Sequence, residues 1–259
     1  MNVLYLGDIV GKPGRNLVKK YLPDLKKEFD ISVCIANGEN VAQGRGITEK
    51  TANELFQSGV DVFTSGNHLW DKKESLNFIA SETRIVKPLN YPEKAVGSKY
   101  YIFETAQNKK LAVVCLIGQV FLAPADSPYT TIDKILPEIA EQTPIILVDF
   151  HAEATAEKRA MGFYLDGKIT VLIGSHTHIQ TADEEILTNG TAYITDAGMT
   201  GPHDSVIGID KSIILTKFTS GMPQRYDVAS EGLQINGVVV SIDDDTGKAT
   251  NIIRIRRKY

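Results

Sequence analysis

Two of the five histidines in this sequence lie in one short segment. His176 and His178 belong to the segment GSHTHIQ at 174–180, which follows the apolar run at 169–173. Successive side chains of a strand point to opposite faces, so residues two apart point the same way. We therefore expect both imidazoles to face one site from the end of a strand.

Four other apolar runs also end in polar residues of the types that bind metal ions. Those residues are Asp8, the segment NGEN at 37–40, Asn67, His68 and His151. In open α/β sheets, ligands bind at the carboxyl ends of the strands. Each residue alone would be an ordinary turn, cap or loop residue. Together, imidazole, carboxylate and amide groups without a thiolate indicate a site for manganese, iron or zinc, with enough ligands for two ions.

The elements that position these residues follow from the hydrophobic pattern. Apolar runs alternate with helix-like stretches, which is typical of a largely parallel sheet buried on both faces. The pattern predicts a hairpin at 100–118, and further strands and turns at 191–198 and after Lys211. The other predicted strands are 3–8, 31–37, 60–68, 84–90, 145–151 and 169–178, and the predicted helices begin near Pro13, Thr48 and Ala152. No repeat or linker interrupts the pattern, which predicts one domain over residues 1–259.

Composition narrows the class of protein. The chain is 42% hydrophobic and 23% charged with a net charge of −4, which is ordinary for a globular protein and argues against a stable complex with nucleic acid. Cys34 and Cys115 both lie in apolar runs, where we expect buried small hydrophobic residues and not a disulfide framework. The first residues read as a strand and not as a signal peptide, and no apolar run approaches the ~18 residues of a membrane span. We therefore expect a cytoplasmic protein without a membrane partner, and the oligomeric state is left open.

The basic segment at 254–258 has two interpretations. It could contact nucleic acid, or it could be the solvated edge of a sheet, where charged side chains discourage pairing with another chain. The second interpretation is the favoured one.

The order of these motifs resembles that of the calcineurin-like metallophosphoesterases. An aspartate, Gly-Asn-His, a lone histidine and Gly-x-His-x-His follow one another along the chain. More specifically, the sequence resembles the bacterial YmdB-type branch over essentially its whole length, through YLGDIVGKPGR, ANGENVAQGRGIT, SGNHLWD, VDFHAEATAEK, GSHTHIQTAD and TDAGMTGPHDSVIG. The resemblance implies an α/β fold of two packed mixed β-sheets flanked by helices, an αββα sandwich.

Several residues depart from the common pattern of that family. Val10 stands where Asp-x-His has its histidine, and Glu39 stands where the bridging aspartate is expected. Leu69 stands where an acidic partner of the catalytic histidine usually lies. The resemblance implies that Asn40 replaces the histidine missing at Val10. The orientation of His68 must then come from elsewhere, for example from a backbone carbonyl.

The resemblance also implies a pair of metal ions, iron or manganese first and zinc as an alternative. Glu39 would bridge the two ions. The remaining ligands would be Asp8, Asn40 and His178 at one ion, and Asn67, His151 and His176 at the other. His68 follows a ligand and is not itself in the ligand set, so it is the candidate catalytic acid.

The reaction implied by the resemblance is hydrolysis of small nucleotide phosphodiesters, such as 2′,3′-cyclic nucleotides or cyclic AMP. Hydroxide between the two metal ions would attack phosphorus, and His68 would protonate the leaving oxygen. A phosphomonoesterase on the same metal pair, either a nucleotidase or a protein phosphatase, is one alternative. A regulatory binding protein with a structural metal pair is another, although such a site needs no proton donor.

Three further residues are candidates for contact with the substrate. Arg45 follows two of the ligands and could clamp a phosphate, or it could be a solvated loop residue. His203 lies in a loop with glycine and proline and could line the substrate pocket or belong to a turn. Trp70, the only tryptophan, could stack on a base, but packing in the core is the favoured role.

Overall fold

Two β-sheets pack face to face in a computed structural model that describes residues 1–259. The first sheet has the spatial order β2 (Asp8–Ile9), β11 (Met199–Pro202), β12 (Leu233–Ile242), β1 (Asn2–Leu6), β3 (Ile31–Asn37) and β4 (Val62–Thr64), with β13 (Ala249–Lys258) paired to β12. The second has the order β5 (Tyr100–Glu104), β6 (Lys110–Ile117), β7 (Ile146–His151), β8 (Val171–Ser175), β10 (Ala192–Ile194) and β9 (Glu185–Ile186).

The central strands of each sheet run parallel. In the first sheet β1, β3 and β4 are parallel, and in the second β6, β7, β8 and β10 are parallel. Strands β12 and β13 run antiparallel, so the first sheet is mixed. Because parallel strands end at the same edge, each sheet places several strand ends side by side.

Helices cover both outer surfaces of the two sheets. They are α1 (Gly11–Glu28), α2 (Glu49–Gln57) and α3 (Leu76–Ser81) on the first sheet, and α4 (Pro128–Ala140) and α5 (Thr155–Leu165) on the second. A sixth helix, α6 (Lys211–Ser220), is largely exposed. One apolar core lies between the sheets and includes Val33 and Leu147. A second core lies under α1 and α2, and a third lies under α4 and α5. The expected αββα sandwich is therefore confirmed.

Local sequence explains where α2 begins. Thr48 is its N-cap, and the Thr48 hydroxyl accepts a hydrogen bond of 3.2 Å from the backbone N–H of Thr51. Such a side chain satisfies one of the four N–H groups that have no partner inside a helix. The loop before α2 carries the predicted ligands Glu39 and Asn40, and this cap fixes where that loop ends.

Two predictions of secondary structure are wrong. Residues 84–90 form only isolated bridges and no strand. The chain after Lys211 begins with the helix α6 and not with strands and turns. Only Ile214 of this helix is buried, while Leu215 and Phe218 are exposed, so α6 lacks the one-sided apolar stripe by which an amphipathic helix is recognised.

Several smaller predictions are confirmed. The hairpin of β5 and β6 is present, and Cys34 and Cys115 are buried. Trp70 packs edge-on against Tyr91, donates from Nε1 to the carbonyl of Val96 and packs, partly buried, against the core, as expected. The basic segment lies on β13, which pairs only with β12, as expected for the edge of a sheet. None of the helices combines the length with the apolar character needed to cross a membrane.

Candidate metal centre and active site

The seven predicted ligands meet where strand ends of the two sheets lie together. Five of them are buried, and Asn67 and His176 are partly buried. The first sheet and its loops supply Asp8, Glu39, Asn40 and Asn67, and the second supplies His151, His176 and His178. The centre therefore depends on how the two sheets pack.

Glu39 lies in the middle of this group. Its Oε1 atom is 3.1 Å from Nε2 of His151 and 3.5 Å from the terminal amide of Asn40. Its Oε2 atom accepts a hydrogen bond of 2.8 Å from the backbone N–H of His68. A Cβ atom at Gly66 would lie 2.5 Å from Oε2 of Glu39 and 2.3 Å from Nε2 of His151, so only glycine leaves room for this contact.

His178, Asp8 and Asn40 form one side of the centre. Nε2 of His178 lies 3.6 Å from Oδ1 of Asp8 and 3.3 Å from the terminal amide of Asn40. That amide has both an oxygen and a nitrogen, so it can present its oxygen to a cation. Nδ1 of His178 donates to the carbonyl of Ile207 at 2.9 Å. The second nitrogen, Nε2, is therefore the one that can offer a lone pair to a metal ion.

His151 is oriented in the same way on the other side. Ser175 donates its hydroxyl hydrogen to Oδ1 of Asp149 at 2.6 Å, so the serine oxygen accepts from Nδ1 of His151 at 3.0 Å. Nε2 of His151 then faces Glu39 and lies 3.1 Å from Oδ1 of Asn67. Asp149, which orients His151 through Ser175, was not named in the sequence analysis. The available signal was a carboxylate inside an apolar strand, two residues before His151 on β7.

Strong electrostatic coupling marks the centre. Burial alone would raise the pKa values of Asp8 and Glu39, but the imidazoles of His178 and His151 outweigh burial and lower both. Burial opposes charge on His151, but Glu39 and Asp8 raise its pKa to about 9. Burial, with a contribution from His151, lowers the pKa of His176 to about 4. Both carboxylates are therefore ionised at neutral pH and need cations beside them.

The donor set fits a metal ion. Ligand atoms of Glu39, His151 and His176 all lie within 4.8 Å of one another. Two of the imidazoles, in His151 and His178, have Nδ1 already occupied by a protein acceptor. Carboxylate, imidazole and amide donors without sulfur suit iron, manganese or zinc.

His176 and His178 face the centre because of a turn, and not because of the strand alternation that the sequence predicted. Strand β8 ends at Ser175, and both His176 (φ 94°) and His178 (φ 64°) lie beyond it in left-handed conformations. Between them, Thr177 donates to Oδ2 of Asp196 from its backbone N–H at 3.2 Å and from its hydroxyl at 2.7 Å. Both imidazoles line the pocket, as expected, but a turn anchored on Asp196 directs them there.

The carboxylate of Asp196 is itself held by a cation from the outer helix layer. Nζ of Lys158, on α5, lies 2.7 Å from Oδ2 of Asp196, and both side chains are buried. The charge of Lys158 thereby stabilises the carboxylate that anchors the histidine turn.

His68 is oriented by a residue that the sequence analysis did not name. Nδ1 of His68 lies 3.0 Å from Oδ2 of Asp71. Leu69, where a carboxylate was sought, is fully buried in the core, and the expected backbone carbonyl is not the partner. The available signal was a carboxylate three residues after the histidine, a spacing that brings the two side chains together in a turn.

The comparisons with known proteins identify the family of this chain. The model of the YmdB-like protein family matches residues 4–255. The chain belongs to the YmdB-like family. The 2′,3′-cyclic-nucleotide 2′-phosphodiesterase of Bacillus subtilis (strain 168) is 49% identical over 98% of this chain and 96% of its own length.

Solved structures confirm the family fold. The crystal structure of a hypothetical protein from Thermus thermophilus has a TM-score of 0.93 with 36% identity, over 100% of this chain and 99% of its own. The crystal structure of a novel phosphatase from Mycoplasma pneumoniae has a TM-score of 0.94 with 33% identity, over 100% of this chain and 93% of its own. The branch and the fold expected from the motifs are both confirmed.

A cavity of about 210 Å³ opens onto the centre of this YmdB-like protein. Arg45 lines the cavity, and its Nε lies 3.8 Å from Oδ2 of Asp71. His203 lies outside the cavity, which corrects the prediction that it lines the substrate pocket. Its Nε2 donates to the carbonyl of Met199 at 3.0 Å, and the ring faces a separate depression beside Arg256.

The sequence analysis also missed one wall of the cavity. Ile207, Ile209 and Tyr226 line it together with the polar loop that carries Arg45. Ile207 and Ile209 lie between residues 198 and 211, where the sequence analysis predicted no element, and Tyr226 lies in the segment for which it predicted only strands and turns. Their types carry no catalytic signal, so only the tertiary structure places them at the site.

Proposed function

We propose that this protein is a metal-dependent phosphodiesterase that hydrolyses small nucleotide phosphodiesters, including 2′,3′-cyclic nucleotides. The observation that carries the proposal is the position of Glu39, whose Oε1 atom contacts both His151 and Asn40. One carboxylate between two groups of ligands is the arrangement that a pair of metal ions requires. The 49% identity to a 2′,3′-cyclic-nucleotide 2′-phosphodiesterase supports the substrate class.

In this proposal Glu39 would hold both of two metal ions, iron or manganese, with zinc as an alternative. The other ligands are Asp8, Asn40 and His178 for one ion and Asn67, His151 and His176 for the other. Two such ions supply charge neutralisation at the phosphate and activation of water for attack on phosphorus. The protein contributes the low-dielectric surroundings and the fixed imidazole orientations described above.

His68 is assigned as the acid that gives a proton to the leaving oxygen. Its Nδ1 faces Asp71, which leaves Nε2 as the nitrogen that faces the proposed ligands, 3.2 Å from the terminal amide of Asn67. A proton donor beside a proposed ligand is close to the phosphorus that the ligands would hold. Asp71 holds the ring in this orientation.

Arg45 is assigned to the non-bridging oxygens of the phosphate. Its side chain lines the cavity and is 64% exposed, so it can reach an entering anion. A guanidinium group binds phosphate oxygens with two parallel hydrogen bonds.

A substrate panel with metal analysis on the same sample tests the proposed function. We expect hydrolysis of 2′,3′-cyclic AMP and of bis-p-nitrophenyl phosphate in a preparation that holds about two metal ions per chain. Faster turnover of p-nitrophenyl phosphate and of nucleoside monophosphates than of the diesters would instead identify a phosphomonoesterase. Two bound ions without hydrolysis of any ester would identify a binding protein.

A further inference from the structure

The cavity at the metal centre has two chemically different walls. Gln43, Gly44 and Arg45 form a polar wall, while Ile207, Ile209 and Tyr226 form an apolar one. A phosphodiester needs only the polar side and the centre itself. We propose that the apolar wall binds the base of a nucleotide substrate and that Tyr226 is the surface on which the base stacks, an inference that rests on the proposed function.

The apolar wall is tied directly to the metal centre. The carbonyl of Ile207 accepts the hydrogen bond from Nδ1 of His178 at 2.9 Å. Ile207 has φ 48°, which is rare for a β-branched residue, and Gly208 follows with φ 97°. Strained backbone of this kind persists where the surrounding structure holds it, and it concentrates at functional sites. The strained turn fixes the carbonyl on His178 and keeps the Ile207 side chain in the cavity.

Tyr226 lines the same cavity, and neighbouring residues hold it there. The segment that carries it pairs with the strained turn, since the N–H of Ala229 donates to the carbonyl of Gly208 at 3.0 Å. The Tyr226 hydroxyl contacts Nζ of Lys217, which lies 5.0 Å from the centre of the tyrosine ring. The side chain is nevertheless 42% exposed, so part of the ring remains available to a ligand.

The chemistry of this wall fits a base better than an aliphatic ester group. Stacking on an aromatic ring uses the π-face that every base has, so it favours nucleotides without selecting one base strongly. The two isoleucines add apolar surface beside the ring. The expected ligand is a small nucleotide with its phosphate at the metal centre and its base against Tyr226.

The decisive experiment compares two cyclic diesters that differ in the base. Glycerol 1,2-cyclic phosphate has the same five-membered cyclic diester as 2′,3′-cyclic AMP but no base. We expect Tyr226→Ala to raise KM for 2′,3′-cyclic AMP by roughly 5- to 100-fold, the loss of one base–aromatic stack, with kcat retained. The KM for glycerol 1,2-cyclic phosphate should not change, and Tyr226→Phe should behave like the natural protein.

Two further measurements separate the inference from a general effect. Binding of adenosine 3′-monophosphate to the metal-loaded protein, measured by calorimetry, should weaken by a similar factor in Tyr226→Ala. Phe218→Ala removes a 75% exposed aromatic ring from the neighbouring helix outside the cavity, and it should change neither value. If Tyr226→Ala lowers the thermal unfolding midpoint, Tyr226→Leu, which keeps apolar bulk without a π-face, replaces it.

The outcomes also distinguish this inference from the proposed function. If Tyr226→Ala affects both cyclic diesters equally, or neither, then Tyr226 does not bind the base, and the phosphodiesterase proposal stands. If the natural protein hydrolyses neither diester, the proposed function fails. Calorimetry then still decides the role of the wall, because unchanged binding of adenosine 3′-monophosphate in Tyr226→Ala overturns the inference.

Discussion

Oδ2 of Asp71 lies 3.0 Å from Nδ1 of His68, so the carboxylate missing at Leu69 is supplied from two residues further along the chain. We predict that Asp71→Asn slows hydrolysis of 2′,3′-cyclic AMP by roughly 10- to 100-fold, because the amide lacks the charge of the carboxylate and can present its nitrogen instead of an oxygen to Nδ1 of His68. The metal content, measured on the same sample, should not change.

His68→Ala provides the reference for that variant. If His68 is the acid, its loss should slow the cyclic nucleotide by roughly 10²–10⁴-fold and affect bis-p-nitrophenyl phosphate far less, since p-nitrophenolate leaves without a proton. Adding Asp71→Asn to His68→Ala should then cause little further loss. Additive effects of the two substitutions would show that Asp71 acts independently of His68, and loss of a metal ion in His68→Ala would make His68 a ligand.

Glu39→Gln tests the shared ligand. The substitution preserves the shape of the side chain and removes the charge that both ions would share, so we expect loss of metal and of activity with the fold retained. Elemental analysis measures the metal content, and circular dichroism checks that the fold is retained. Glu153→Gln is the matched control, because Oε2 of Glu153 lies 3.2 Å from Nε2 of His176 without belonging to the proposed ligands. Full metal content in Glu39→Gln would refute the shared role.

Lys158→Met tests the anchor of the histidine turn. Removing the cation leaves the carboxylate of Asp196 buried without its partner at 2.7 Å, and breaking a buried pair in this way costs about 3–5 kcal/mol. We expect a loss of that order in the free energy of unfolding, measured in urea, together with weaker metal binding. Arg159→Met removes a neighbouring, partly exposed ion pair with Glu185 and should cost about 1 kcal/mol or less. Equal losses in the two variants would contradict the assignment.

The metal-free protein should lose stability as the pH rises from 6.5 to 9. Glu39 and Asp8 outweigh burial and raise the pKa of His151 to about 9, above its ordinary value of 6.5. A group with a raised pKa stabilises the fold fully below its unfolded pKa, and this contribution is lost as the pH rises through the folded pKa. His178, whose pKa Asp8 also raises against the effect of burial, contributes with the same sign. The pKa of His176 is lowered to about 4, so His176 affects the free energy of unfolding only below pH 6.5.

Urea unfolding of chelator-treated protein at pH 6.5, 7.5 and 9 measures this dependence. His151→Gln should reduce this pH dependence, because one of the two histidines that cause it is gone. A free energy of unfolding that rises over this range in the natural sequence would contradict the assigned cause.

The ligand types and the fold class were available from the sequence because both depend on local patterns. Polar residues that follow apolar runs, such as Asp8, Asn40 and His151, mark strand ends, and parallel strands bring their ends to one edge. Some helices and loops were harder to predict from the sequence. The helix α6 has no apolar stripe, and residues 84–90 have strand-like composition without a full set of strand partners.

Only the tertiary structure decided which residues orient the candidate ligands and line the cavity. The carbonyl that fixes His178 belongs to Ile207, 29 residues away, and the cation that holds Asp196 comes from Lys158, 38 residues away. His203 belongs to one of the family-like motifs but faces another depression. Tyr226 belongs to none of them and lines the cavity from an exposed segment. Such contacts join segments with no shared periodicity, and their partners are set by the packing of the two sheets and by positive-φ turns. A pattern of neighbouring residues contains neither of these.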